Sequence, residues 1–162
     1  MVDERQEHRV ITGYELLKFF HILFAIVAVG FNISYSVWLA RAARDPTEQR
    51  LYVLRGIKVL DDRFANPSYG LLLITGIWMV AISPLELTTF WILVSLILYV
   101  LVIATGLTLY TPALRAQGRA LETEGPESDA YRRADMRQRV VGIGLSIPVV
   151  VIVFLMVTKP TL

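Results

Sequence analysis

A chain of 162 residues that is 55% hydrophobic, only 19% charged and of mean hydropathy +0.55 is too apolar for a soluble domain, since soluble chains run at about 45–50% apolar and about 25% charged. Its basic balance, 16 Lys and Arg against 14 Asp and Glu, does not indicate a nucleic-acid partner, because the positive charge lies beside apolar runs, where membrane topology accounts for it. The absence of cysteine excludes disulfides, thiolate nucleophiles and Cys-ligated metals.

In chain order, residues 1–13 are polar and read as a tail or short surface helix. They do not resemble a cleavable signal peptide: Asp3, Glu4 and Glu7 mix with Arg5 and Arg9, and the apolar run that follows is too long for a signal core. That run makes the first span, expected over residues 16–39, with Tyr14 and Trp38 as interfacial aromatics. Arg41 and Arg44 stop it. Asp45-Pro46-Thr47-Glu48 reads as a helix start, with Asp as the cap and Pro at the first helical position. Leu51, Leu54, Ile57, Leu60 and Phe64 then recur at helical spacing and make residues 46–64 an amphipathic helix. It either lies on the membrane surface or runs on into the second span as a cytoplasmic extension.

Asn66-Pro67 punctuates, and the second span is expected over 67–83. Pro84 ends it, and a connection of a few residues leads to the third span, 89–110, so the two form a tight antiparallel hairpin. Pro112 marks the interface, and residues 122–128, with Gly125 and Pro126, are a linker. A second polar helix over 129–139 enters the fourth span, 140–157, where Pro148 predicts a kink.

Charge orients the four spans. Residues 40–66 hold six Lys or Arg (Arg41, Arg44, Arg50, Arg55, Lys58, Arg63), and 111–139 hold another six (Arg115, Arg119, Arg132, Arg133, Arg137, Arg139). The turn between spans two and three holds none, so both excursions are cytoplasmic and both termini lie outside. Gly30 with Ser34, and Gly142 with Ser146, are small-residue pairs that let helices approach closely, first of all within the bundle.

Ionisable groups inside a bilayer are costly and are candidates for function. No Asp or Glu falls within a span, and no ladder of polar residues follows the depth of one, so neither a proton-coupled transporter nor a channel is indicated. His21 remains, about 10 Å below the outer end of span one at 1.5 Å per residue. Two readings stand for it: a histidine that hydrogen-bonds a neighbouring helix near the headgroups beside a snorkelling Lys18, or an axial haem ligand through a neutral imidazole. Asn32 is expected to bond across helices and set their register. His8 falls in the tail and reads as solvated. No phosphate loop, nucleophile–base pair or metal-ligand spacing appears.

The stretches KFFHILFAIVAVGFNISYSVW and ANPSYGLLLITGIWMV resemble a bacterial family of integral membrane proteins of unknown function, allied to the copper-resistance D-type proteins and the membrane-bound protoporphyrinogen oxidase. The shared motif is a histidine early in span one, a glycine nine residues later (Gly30), and Asn-Pro before a glycine-bearing second span. The resemblance implies a four-helix bundle in a bacterial inner membrane, and haem b on His21. It departs from the oxidase in span three, which carries no lysine where a ligand is expected. The second ligand would then come from Lys18, Met79, Met156, water or another subunit. Met79 is the best internal choice, because span two rises to the level from which span one descends.

The sequence thus predicts an all-α, single-domain membrane four-helix bundle. Its leading function is that of a non-catalytic subunit or scaffold, packed in the lipid bilayer against other membrane subunits or a second copy, with a haem-b redox protein as the alternative.

Overall fold

The computed structural model describes residues 12–160, so the tail that carries His8 lies outside the described residues. Helix α1 (Gly13–Ala42) opens with a reciprocal cap: the Glu15 amide donates to Thr12 Oγ1 at 3.2 Å and the Thr12 amide to Glu15 Oε2 at 3.0 Å. After a short turn come α2 (Thr47–Leu60) and α3 (Asn66–Ala81), joined by a π-helical turn, Asp61–Ala65. Helices α4 (Phe90–Thr105) and α5 (Thr111–Thr123) are likewise joined through a π turn, Gly106–Tyr110. Helix α6 (Asp129–Thr158) starts at Ser128, whose hydroxyl accepts the Tyr131 amide at 3.2 Å.

The sequence punctuation at Asn66-Pro67 and Pro112 is therefore a change of pitch and not a break. Thr47–Ala81 and Phe90–Thr123 are each continuous helices of 35 and 34 residues, about 50 Å long at 1.5 Å per residue. A proline ring collides with the carbonyl four residues back. One wide turn relieves that collision: the Asn66 amide bonds Asp61 O and the Thr111 amide bonds Gly106 O, just before Pro67 and Pro112. The expected Asp45 cap is not made. Pro46 keeps an extended ψ of 154°, so the helix begins at Thr47 without a side-chain cap, and Asp45 offers its backbone carbonyl to Arg50 Nε at 2.7 Å.

Among the described residues, four helices are long and apolar enough to cross a membrane. In α1 and α6 only 6% of the most apolar stretch is buried inside the protein, and the remainder suits acyl chains. Helix α1 packs on α3, and α4 on α6. At the basic end α5 packs on α6 and α2 on α1, and α2 meets α5. Leu54, Ala120, Leu121 and Tyr131 form a core there, with Leu39, Leu51, Leu114 and Ala130 packed around it.

This settles the placement of the amphipathic helix. It is the extension of the second membrane helix, and its Leu54 and Ile57 are buried within the protein and not in headgroups. Phe64, expected on the buried face, is 51% exposed, because the π turn rotates it off that stripe. At the opposite end Trp91, Ile92 and Leu155 form a second core, and Lys159 Nζ stands 5.6 Å from the Trp91 ring centre.

Candidate functional site

His21 is where the sequence placed its one membrane histidine, and α3 supplies its surroundings. Its Nδ1 lies 2.9 Å from Thr75 Oγ1. The Thr75 hydroxyl has a single proton, and that proton faces the Leu71 carbonyl at 2.7 Å, with Leu72 O at 3.2 Å. With the Thr75 proton on the Leu71 carbonyl, Thr75 accepts from the ring in its Nδ1–H tautomer, the form that keeps a lone pair on Nε2. Gly76 makes the approach possible. A Cβ there would stand 3.1 Å from His21 Cε1, closer than packed carbons sit at their optimum of about 3.5–4.0 Å.

An imidazole held by Nδ1–H and bare at Nε2 has the second-sphere arrangement of an axial or metal ligand. The donor chemistry of His21 thus fits a haem iron. Met79 is one turn beyond Thr75 on α3 and is half-buried, about 6 Å further toward the C-terminal end of that helix. The helices touch at His21 and Gly76. Met79 would supply the thioether donor from the same face of α3 as Thr75.

A second polar set lies toward the basic end. Asn32 Nδ2 donates to Ala28 O at 2.8 Å and, across to α3, to the Tyr69 hydroxyl. Tyr99 on α4 donates to the Tyr69 carbonyl at 2.6 Å, which joins the α1–α3 pair to the α4–α6 pair. Gln138 Nε2 donates to the Tyr110 hydroxyl at 3.0 Å. The hydroxyls of Tyr35 and Ser95 are buried without a hydrogen-bond partner among the described residues. Groups of three or more His, Cys, Asp or Glu able to hold a metal are absent among the described residues.

The profile of a family described as "Predicted integral membrane protein (DUF2269)" matches residues 15–160. The chain belongs to that family. No curated protein and no solved structure matches it. The DUF2269 match spans all four membrane helices and both basic excursions, so His21, Thr75 and Met79 all lie within it.

Asn32 does what the sequence led us to expect and bonds across helices. Thr75 on α3 bonds His21 on α1. The pair spans 54 residues in sequence, and only its composition, a Thr-Gly step within an otherwise apolar span, marks it. Of the small residues, Gly142 packs inside the bundle, where a Cβ would stand 3.2 Å from Tyr110 Cε2. Gly30 does not: nothing lies within 4 Å of its Cβ position, and it faces outward.

Proposed function

We propose that this DUF2269 protein is a non-catalytic membrane subunit that assembles with another membrane helix through the outer face of α1. The observation that carries the reading is Gly30. It interrupts a stripe of exposed residues, Ile22, Ile26, Ile33 and Val37, at helical spacing. The stripe with its gap is a ridge and hole of the kind that draws membrane helices together by close packing. The interhelical bonds His21–Thr75, Asn32–Tyr69 and Gln138–Tyr110 support a structural use of the polar side chains.

The test is the mass of the protein drawn directly from its membrane in native-lipid nanodiscs. The reading expects a protein mass above the 18.3 kDa of one chain, reduced to one chain by Gly30→Leu with helicity retained. A wild-type mass of one chain would sink it.

The bare Nε2 of His21 favours a second reading, a haem-b redox protein with His21 as axial ligand and Met79 as the sixth. Bound haem would supply one-electron chemistry. Thr75 would hold the imidazole in its Nδ1–H tautomer, and the apolar faces of α1 and α3 would keep water from the iron. A Soret band at one haem per chain in protein made with ample haem supports this reading, and a colourless protein excludes it.

A further inference from the structure

Three polar side chains meet between α1 and the α2–α3 rod, toward the basic end, without the bonds they need. Tyr35 is 1% exposed, and its hydroxyl has no hydrogen-bond partner among the described residues. The Tyr69 hydroxyl accepts from Asn32 Nδ2, so its own proton is left over, and no acceptor takes that proton among the described residues. Asp61, the first residue of the π turn, has the opposite deficit. Its Oδ2 accepts only a long 3.3 Å bond from Asn66 Nδ2, and the cation beside it, Lys58, is turned to Asp62 at 2.5 Å.

Ring contacts fix the levels of these groups. Phe31 on α1 packs on Phe64 of the π turn with ring centres 5.9 Å apart, and stacks on Tyr35 at 6.0 Å. The short turn after Ala42 makes α1 and the rod antiparallel, and α1 packs on the π turn. Tyr35 lies four residues from Phe31 toward the basic end, and Asp61 lies three residues from Phe64 in the same direction. Those steps are about 6 Å and about 5 Å. Tyr35 therefore stands opposite Asp61. Tyr69, tied to Asn32 one turn above Tyr35, closes the third side. The charge of Asp61 is felt at both phenol oxygens, yet neither hydroxyl bonds the carboxylate directly.

Whatever joins these groups must accept from two phenols and donate to a carboxylate. A cation offers the phenol protons no lone pair, and an anion is repelled by Asp61. Water has two lone pairs and two protons, and it bridges polar groups that stand too far apart to bond directly. We propose that one water molecule is bound between Tyr35, Tyr69 and Asp61 as a fixed part of the fold. Asp61 is then the acceptor at the end of a chain that runs from Asn32 through Tyr69 and the water. The chain locks α1 to the rod where the pitch of the rod changes. The site uses neither the Gly30 face nor His21, so it is independent of either reading of function.

The experiment uses the full chain. In proton-detected solid-state NMR of the protein in nanodiscs, water magnetisation should reach the hydroxyl-bearing ring carbon of Tyr35, although bulk solvent does not touch that oxygen. The methyl of Ala28, 0% exposed on the same helix, should receive none. In thermal unfolding, Tyr35→Phe should lower Tm by about 2–6 °C, the worth of a hydrogen bond in a chain of this length. Most of that loss should vanish when Asp61→Ala is already present, because both substitutions strip ligands from one water. Transfer to Tyr35 no stronger than to Ala28 in the wild-type protein would overturn the proposal, whether or not any variant folds. So would a Tyr35→Phe protein with a raised Tm, the gain expected when an unpartnered buried hydroxyl is removed. An equal loss with and without the Asp61 carboxylate would also overturn it.

Discussion

The contact between His21 and Gly76 can be weighed by adding one methyl group at two places on the same helix. Alanine is favoured over glycine in a helix interior by roughly 0.5–1 kcal/mol. At Gly70 nothing lies within 4 Å of the new methyl, so Gly70→Ala should gain about that amount. At Gly76 the methyl would meet His21 Cε1 at 3.1 Å and Nδ1 at 3.6 Å. The ring cannot swing away without losing its 2.9 Å bond to Thr75, so the backbones must part by a few tenths of an ångström. Overpacking of this kind costs about 1–3 kcal/mol, more than the helix gain, and the net for Gly76→Ala is a loss of up to about 2 kcal/mol. The assay is thermal unfolding in one detergent, where 1 kcal/mol moves Tm by about 2–4 °C at this chain length. Gly70→Ala should raise Tm by a few degrees and Gly76→Ala should lower it. Combined with His21→Ala, the Gly76 substitution should lose most of its cost, because the two sites share one contact. A Gly76→Ala protein as stabilised as Gly70→Ala would refute the packing of His21 on α3.

In the haem reading, His21→Ala abolishes the Soret band, whereas Met79→Leu keeps it and lowers the reduction potential, since thioether ligation raises it; potentiometric titration of the visible bands reads both. At the basic end, Leu121→Ala, at a side chain 1% exposed, should cost about 2–4 kcal/mol. Breaking the exposed 2.8 Å Arg55–Glu122 pair should cost less than about 1 kcal/mol, and chemical denaturation in mixed micelles separates the two. Single cysteines at Leu54 and Arg55 should react at very different rates with a polar maleimide, the first slowly and the second fast. A periplasm-active phosphatase fused at Gly125 should be silent, and a fusion at Glu86 active.

What the sequence disclosed followed from contrast along the chain. Four apolar runs broken by basic excursions are enough to place four helices. The Leu54 and Ile57 face of α2 stood out because charged residues flank it. Which way that face points was not legible, because headgroups and the α5 surface reward the same stripe.

Within the bilayer the contrast vanishes. Helices α3 and α4 are apolar on every side, so no periodicity tells which side of α3 meets α1, and the Thr75 partner of His21 had to wait for the structure. The outward turn of Gly30 was hidden for the same reason. The prolines at 67 and 112 were visible, but their local effect depends on whether the helix has reason to continue, and here the packing of α2 and α5 against the rest supplies it.

The two wide turns also act as a change of phase. Each inserts one residue into an otherwise regular helix and sets every residue beyond it back by about 100° from the azimuth its number would have in an unbroken α-helix. An α-helix would send residues eleven apart, such as Ile57 and Ser68, to nearly the same azimuth; with the turn between them, the two point to different neighbours. One continuous rod can thus present its inward side to α5 below the membrane and to α1 within it. Deleting one residue from Asp61–Ala65 or Gly106–Tyr110 would turn the wide turn into ordinary α-helix and leave both halves facing the same neighbours. What the deletion removes is the room the wide turn gives Pro67 and Pro112, whose rings would then meet the carbonyl four residues back.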